Sequence, residues 1–277
     1  MTTGQKVIKY LAIAFAIFLT VTIIGGILSA AGLLGGFFTG EDITGDRKTY
    51  SVSGDIQNLD IEIKAANLYI KEGEAFSVES NLKNLKVDEK NGGLIIKDAA
   101  EIKVHLFGSN SYENAELTIY VPARTVFENV NLATGAGRLN VESLTAETLD
   151  FELGAGEVSI TSLIATKSAD IEGGAGKITI SGGALKGLDL EMGVGQLNLA
   201  SALTGNCRLD LGIGETNIAL IGNKNDYKLE LEKGLGSISV EGKAVSNYSI
   251  GGNGTNQVEI HGGIGAINLE FKESDAT

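Results

Sequence analysis

The sequence predicts an all-β fold, a parallel β-solenoid, preceded by a single N-terminal transmembrane helix. Three observations lead to this prediction. An uncharged apolar run occupies residues 10–38. Glycine occurs 38 times and proline once, a balance that favours ordered turns over a disordered linker. The second half of the chain repeats about every 20 residues, a period typical of solenoids.

The apolar run is longer than the roughly 20 residues that a helix needs to cross a bilayer. Lys6 and Lys9 are the only charges up to its end, and three acids follow within eight residues of it. The positive-inside rule therefore places the N-terminus in the cytoplasm and the remaining chain outside. A cleavable signal peptide ending near Ser29-Ala30-Ala31 is the alternative, but the run continues well beyond that point, which favours an uncleaved anchor.

These features predict five segments in order along the chain. They are a cytoplasmic tail (1–9), a transmembrane helix (10–38), a polar linker (39–49), one β-repeat solenoid (50–271) and a C-terminal tail (272–277).

The repeat comes into phase when one glycine is taken as the origin of each unit. Apolar residues then recur five and three positions before the origin, and four and six positions after it. Spacings of two indicate strands with one buried face, so each unit is predicted as strand, glycine corner, strand and polar return. The predicted corner glycines are Gly135, Gly154, Gly174, Gly193, Gly214, Gly234 and, near the C-terminus, Gly263.

Most corners read Gly-x-Gly, where glycine permits a positive φ or a close backbone approach. The unit at Gly214 is the exception, because Thr216 occupies the second position, so the first glycine is expected to set the register. The same pattern extends, more weakly, to units centred on Lys64 and Lys90. Residues 116–121 (ELTIYV) form a further predicted strand.

Stacking of successive units is the predicted architecture. A unit of 20 residues cannot bury its apolar stripe alone, whereas stacked units bury it between coils about 4.8 Å apart. An antiparallel sandwich, with each Gly-x-Gly as a hairpin turn, is the alternative. We favour the stack because the register and the corner chemistry persist through six units.

The runs NLDIEIKAANLYIKEGEAFSVES, LTIYVP and NVNLATGAGRLNVESLTAETLDFELGAGEVSI resemble the bacterial "putative adhesin" family, domain of unknown function 4097, from about Tyr50 onward. The resemblance implies a β-solenoid similar to autotransporter adhesin heads. It also implies anchoring in Gram-positive-type membranes, because some members resemble envelope-stress accessory proteins. The family defines no catalytic residues, so the resemblance transfers none.

Two acidic columns are the most visible polar feature of the repeat. One contains Asp150, Asp170, Asp189, Asp210 and Glu230; the other contains Glu152, Glu172, Glu191 and Glu232. Acids stacked about 5 Å apart would raise one another's pKa and attract Ca²⁺ or a cationic ligand. The alternative is a solvated outer strand face, which we favour because no Asp-rich calcium loop accompanies the corners.

No catalytic, cofactor or structural metal site is predicted. His105 and His261 lack nearby ligand sets, and Cys207 is expected to be a small packed side chain. The formal net charge is −13, and because Lys6 and Lys9 are the only charges up to residue 38, the rest carries −15. Such an acidic domain is expected to repel nucleic acid.

The sequence therefore predicts a non-enzymatic, membrane-anchored extracytoplasmic protein, an adhesin-like module that senses or binds a component of the cell envelope. An envelope protein, a peptide or a glycan are the expected kinds of partner. The alternatives are a polysaccharide-acting envelope enzyme and a structural subunit of a membrane complex. A single-pass protein of a Gram-positive-type bacterium is the expected localisation.

Overall fold

The computed structural model describes residues 43–98, 114–246, 248–250 and 254–273, all within one compact unit. The predicted cytoplasmic tail and transmembrane helix lie outside these residues, as does His105. Within the described ranges, no helix has the length and apolarity that a membrane crossing requires.

The described chain is almost entirely β-strand, which confirms the predicted all-β class. One 3-10 turn, Lys224–Asp226, interrupts it. The strands are β1 (Thr44–Ser51), β2 (Asn58–Gly73), β3 (Ser77–Leu82), β4 (Leu85–Lys90), β5 (Gly93–Asp98), β6 (Glu116–Pro122), β7 (Phe127–Ile180), β8 (Gly183–Lys186), β9 (Leu188–Thr204), β10 (Asn206–Ile221), β11 (Tyr227–Glu232), β12 (Leu235–Val240), β13 (Lys243–Val245), β14 (Tyr248–Ile250), β15 (Asn256–His261) and β16 (Ile264–Lys272). Strand β1 begins inside the predicted linker and pairs with β3.

Eight stacked coils organise the strands in the part of the chain that the structure describes. We number them in chain order: coil 1 (58–73), coil 2 (129–146), coil 3 (148–165), coil 4 (168–186), coil 5 (188–204), coil 6 (206–221), coil 7 (227–240) and coil 8 (256–272). Neighbouring coils pair in parallel and in register; Leu68 of coil 1, for example, lies opposite Leu139 of coil 2. The apolar residues at the predicted offsets are buried and form one continuous core.

The order of the stack differs from the order of the chain. Coil 8 lies between coil 6 and coil 7: β15 pairs in parallel with both β10 and β11, and β16 with both β10 and β12. Short antiparallel strands cover the far side of coil 7, β14 beside β11 and β13 beside β12. A sequential stack is therefore wrong at this end, because the C-terminal coil fills a slot between two earlier ones.

The segment predicted as a polar return is a third strand in the middle coils. Leu163 and Ala165 pair with residues of β8, and β8 pairs in turn with the end of β9. Their side chains are buried, as are those of Leu144, Leu185 and Leu203. Three strands per coil thus enclose the core, a wider cross-section than two strands would give.

The predicted unit around Lys90 is a hairpin instead. Strands β4 and β5 are antiparallel and turn at Asn91 and Gly92, both of which have positive φ. Leu94 and Ile96 pair with Leu59 and Ile61 of coil 1, so they occupy positions before a corner and not after one. An Asn-Gly pair is a strong hairpin signal, and it prevails here over the weak apolar repeat.

The glycine frame also requires a correction in coil 6. Gly214 pairs with Gly195, and Leu209 pairs with Leu190, so the first corner glycine of coil 6 is Gly212 and not Gly214. Thr216 is then an ordinary strand residue opposite Leu197, and the apparent exception to Gly-x-Gly disappears. The other predicted corner glycines keep their first positions.

Both corner positions require glycine, for different reasons. The second glycines have φ between 125° and 158°: Gly137, Gly156, Gly176, Gly195, Gly214, Gly236 and Gly265. At the first glycines, a Cβ would lie 1.9–2.4 Å from a carbonyl oxygen of the neighbouring coil. The exception at Thr216, on which the preference for the first position depended, therefore does not exist, and the second position combines the close approach with a backbone that side chains rarely adopt.

Candidate binding surfaces

The first candidate surface is the acidic face, which consists of Asp150, Asp170, Asp189, Glu152, Glu172 and Glu191 on coils 3 to 5. All six side chains are exposed. Asp170 lies opposite Asp189, and Glu172 lies opposite Glu191. The acids alternate with buried core residues of the same strands, so all six lie on one outer face of the sheet.

The aspartate column is shorter than predicted, and Asp210 instead continues the glutamate column. Because of the two-residue frame shift, Arg208 and not Asp210 lies opposite Asp189, and Asp210 lies opposite Glu191. Glu230 is separated from Asp189 by Arg208 and Glu259. Asp210 and Glu230 therefore do not extend the aspartate column.

Mixed charges occupy the position where the column was expected to continue. The Arg208 guanidinium lies 3.4 Å from a carboxylate oxygen of Glu259 and 3.9 Å from one of Asp210. His261 Nδ1 lies 2.7 Å from Asp210 Oδ1. The contacts of Arg208 with Glu259 and of Asp210 with His261 join coil 6 to the inserted coil 8. In the described ranges, no three His, Cys, Asp or Glu side chains are arranged to hold a metal ion.

Stacking affects the ionisation of the central acid in the face. The pKa of Asp170 is raised above its ordinary value of 3.8, first by partial burial and then by the negative charges of Asp189 and Asp150. An acid whose pKa is raised in the folded state lowers stability when it is ionised. That cost is present above the folded pKa and is lost as the pH falls through it.

We expect Asp170→Asn to stabilise the protein at pH 7, by less than about 1 kcal/mol because the carboxylate is exposed to solvent. The difference in stability between the variant and the wild type should vanish at about pH 3, where Asp170 is protonated and therefore as neutral as asparagine. The difference should also shrink in high salt, which screens the repulsion between the acids. Thermal unfolding at the two pH values measures it. The control is Asp88→Asn, an exposed acid of β4 away from the face. Equal effects of the two substitutions would contradict the stacking explanation.

The second candidate surface is the aliphatic ridge, which consists of Val194, Ile213, Ile264 and Leu235. These are the middle residues of Gly-x-Gly corners in coils 5, 6, 8 and 7, and each lies opposite the next. Val194, Ile213 and Leu235 are 50%, 38% and 58% exposed. Because the backbone of both flanking glycines lies against the neighbouring coil, the side chain between them points outward.

The ridge changes in character along the stack. The corresponding residues of coils 2 to 4 are Ala136, Ala155 and Ala175, whereas the four coils at the other end carry large aliphatic side chains. A continuous line of large exposed aliphatic residues often marks an interaction site, whereas single exposed apolar residues are common on any protein surface. The sequence contained this signal, but the misplaced frame at coil 6 concealed Ile213.

The third candidate surface is the asparagine groove, a concave cavity of about 610 Å³ on the outer face of coils 4 to 8. Its floor is a ladder of side-chain hydrogen bonds. Asn198 Nδ2 donates to Thr179 Oγ1 at 3.4 Å. Asn217 Nδ2 donates to Asn198 Oδ1 at 3.0 Å, and Asn268 Nδ2 donates to Asn217 Oδ1 at 2.9 Å. The ladder is not predictable from the sequence pattern, because it includes coil 8, whose place in the stack does not follow from chain order.

Cys207 is buried, as predicted, and occupies a core position between Leu188 and Val258 in the stack. Burial raises the pKa of its thiol, an effect that hydrogen bonds with neighbouring backbone groups only partly offset. The thiol is therefore protonated and poorly reactive at neutral pH.

A family model for Toastrack DUF4097 matches residues 56–270. No curated protein sequence matches the chain significantly.

Solved structures from several bacteria match most of the chain at low sequence identity. A "putative cell adhesion protein" from Clostridium sporogenes is 17% identical, with a TM-score of 0.35, and the match covers 82% of this chain and 99% of that one. A "putative adhesin" from Parabacteroides distasonis is 15% identical, with a TM-score of 0.38, covering 82% and 96%. A "putative lipid binding protein" from the same species is 14% identical, with a TM-score of 0.31, covering 81% and 97%. Similarity at these levels transfers no ligand.

Proposed function

Because this chain belongs to the Toastrack DUF4097 family, we propose that it is a non-enzymatic binding module of the cell envelope, adhesin-like and anchored by residues 10–38. The aliphatic ridge is the observation that carries this proposal. Three of its four side chains are at least 38% exposed, and all four lie in one line across adjacent coils. Such a line is a contact surface for a protein partner.

Geometry also favours binding over catalysis. Glycoside hydrolysis requires two carboxylates that face each other across a bound sugar. The acids of the acidic face instead lie side by side on one exposed face of the sheet, following the repeat. Their regular spacing creates a uniform acidic surface, and no two of these carboxylates face each other across a space for a sugar.

The anchor rests on the sequence. Residues 10–38 contain no charge, and Lys6 and Lys9 precede them. With the N-terminus in the cytoplasm, the repeat domain lies outside the membrane, where the ridge can meet envelope proteins. A stack of coils offers a rigid and extended surface for such contacts.

A single labelling experiment tests both location and ridge. Ile213→Cys in the full chain places a thiol on the ridge, while the native Cys207 is only 3% exposed and leaves the wild type as a silent control. Intact cells are treated with a membrane-impermeant maleimide that carries a photo-crosslinker. We expect labelling of the variant, followed by a discrete crosslinked band on illumination.

The matched control is Lys228→Cys, an exposed position on β11 away from the ridge. It should be labelled equally but should not yield the crosslinked band. Absence of labelling at both positions in intact cells would refute the extracytoplasmic location. Labelling at both with no band specific to position 213 would refute the ridge as the binding surface.

A further inference from the structure

We propose that the asparagine groove binds an extended, neutral polysaccharide. This inference rests on the proposed function only for the location outside the membrane, and it concerns a different surface from the ridge. The cavity of about 610 Å³ is within the size range of ligand sites, roughly 300–1,000 Å³.

The chemistry of the groove is that of amides and hydroxyls. A side-chain amide offers two N–H donors and one oxygen with two lone pairs, so a ladder bond uses only part of its capacity. Among the described residues, one N–H of Asn198 and one of Asn268 have no protein acceptor, whereas Asn217 also donates to Glu215 at 3.3 Å. The remaining donors and lone pairs match sugar hydroxyls, which both donate and accept.

Shape and spacing favour a chain over a single sugar. The ladder crosses four parallel strands, so equivalent polar groups recur about every 4.8 Å along the stack. Ala200 and Ala219 lie beside the ladder, and their small side chains keep the groove open. A polymer lying along the stack would meet the same set of groups at each coil.

Charge favours a neutral polymer. The protein carries a net charge of −13, which repels polyanions. The charged side chains that line the groove are Glu270 and Lys272 of coil 8 and Glu241 of the turn after coil 7, at one end. All three have partners: Lys272 Nζ lies 2.9 Å from Glu270 Oε1, and Glu241 Oε1 accepts a hydrogen bond from the Phe271 backbone N–H at 2.8 Å. The ladder itself offers no compensating charge to an ionic ligand.

An extended peptide is the competing occupant, and the groove suits it less well. Peptides that bind along sheets gain affinity from main-chain hydrogen bonds at an open strand edge and specificity from pockets for alternate side chains. The ladder instead lies on a sheet face, where the backbone groups of coils 5, 6 and 8 are already paired. The polar groups that remain available belong to side chains.

Affinity electrophoresis tests the proposal with the purified full chain in detergent. Native gels are cast with hydroxyethyl cellulose, dextran or mannan, all neutral, and the mobility is compared with that in a polymer-free gel. We expect at least one polymer to retard the protein. Ala219→Arg, which fills the groove with a long side chain, should weaken that binding at least tenfold.

The matched control is Thr161→Arg, an exposed position at the equivalent offset in coil 3, outside the groove. It should bind like the wild type, and far-UV circular dichroism should show that both variants are folded. The proposal is overturned if none of the three polymers retards the protein, if both variants bind equally, or if a neutral Gly/Ser peptide binds as tightly as the polymer. Because the test is made in vitro, its failure leaves the cellular labelling result untouched.

Discussion

Replacing Gly195 with alanine is expected to destabilise the folded protein by roughly 4 kcal/mol, from overpacking and from backbone strain that each cost about 1–3 kcal/mol. A Cβ at this position would lie 1.7 Å from the carbonyl oxygen of Gly176 in the neighbouring coil. Neither backbone can retreat without breaking the parallel pairing on its other side. The φ of 140° adds strain that no side-chain movement relieves. Chemical denaturation followed by circular dichroism measures the loss.

Val194→Ala is the matched control, because it changes the adjacent residue of the same corner. The Val194 side chain is half exposed, so we expect its truncation to cost less than about 1 kcal/mol. With a total stability of about 5–15 kcal/mol, the glycine variant is expected to populate unfolded protein under mild denaturant while the control does not. Similar midpoints for both would mean that the coils can separate to admit a methyl group.

Of the eight described coils, coil 1 is the one whose corner positions are not glycine, and its place in the stack explains why. Lys64 and Ala66 stand where later coils have glycine, and their carbonyl oxygens face Gly135 and Gly137 of coil 2. A corner side chain points towards the preceding coil, and no described residue pairs with the corner of coil 1 on that side. Non-glycine residues are therefore tolerated at the corner only where the stack begins.

Period-2 patterning predicted most of the core from the sequence. Apolar residues two apart on each strand locate the buried face wherever the chain continues regularly, as at Leu59 and Ile61. The same property hides register errors, because a shift of two residues leaves every side chain on its original face. The assignment of Gly214 as a first corner glycine therefore preserved the core while it misplaced Asp210 by one column.

Surface features were harder to predict because they depend on which coils are neighbours. The ridge requires only the correct corner frame, so Val194, Ile213 and Leu235 could have been found by choosing Gly212. The groove requires more, since Asn268 meets Asn217 only when coil 8 is inserted beside coil 6. The coils share the same kinds of corner and core residues, so the sequence of a coil does not predict which other coils lie beside it.

Deleting residues 254–277 is expected to disrupt coil 6 as well as coil 7. In the observed order, coil 8 pairs with both, so its removal leaves coil 7 without its partner in the stack and uncovers one side of coil 6. Coil 7 buries Leu229, Leu231, Ile238 and Val240 in the common core. Exposure of such residues costs about 1.5–3 kcal/mol each, so we expect coil 7 to detach.

Hydrogen exchange with mass spectrometry distinguishes the two possible orders. Inserted coil 8 predicts that residues 206–221 and 227–240 both lose protection in the truncated chain, while coils 2 to 4 retain theirs. A sequential stack would instead lose only an end cap, and residues 206–221 would stay protected by coil 7. Deletion of residues 274–277 alone is the control and should leave exchange unchanged. Retained protection of coil 6 in the longer deletion would contradict the insertion, and with it the Asn217–Asn268 contact on which the groove depends.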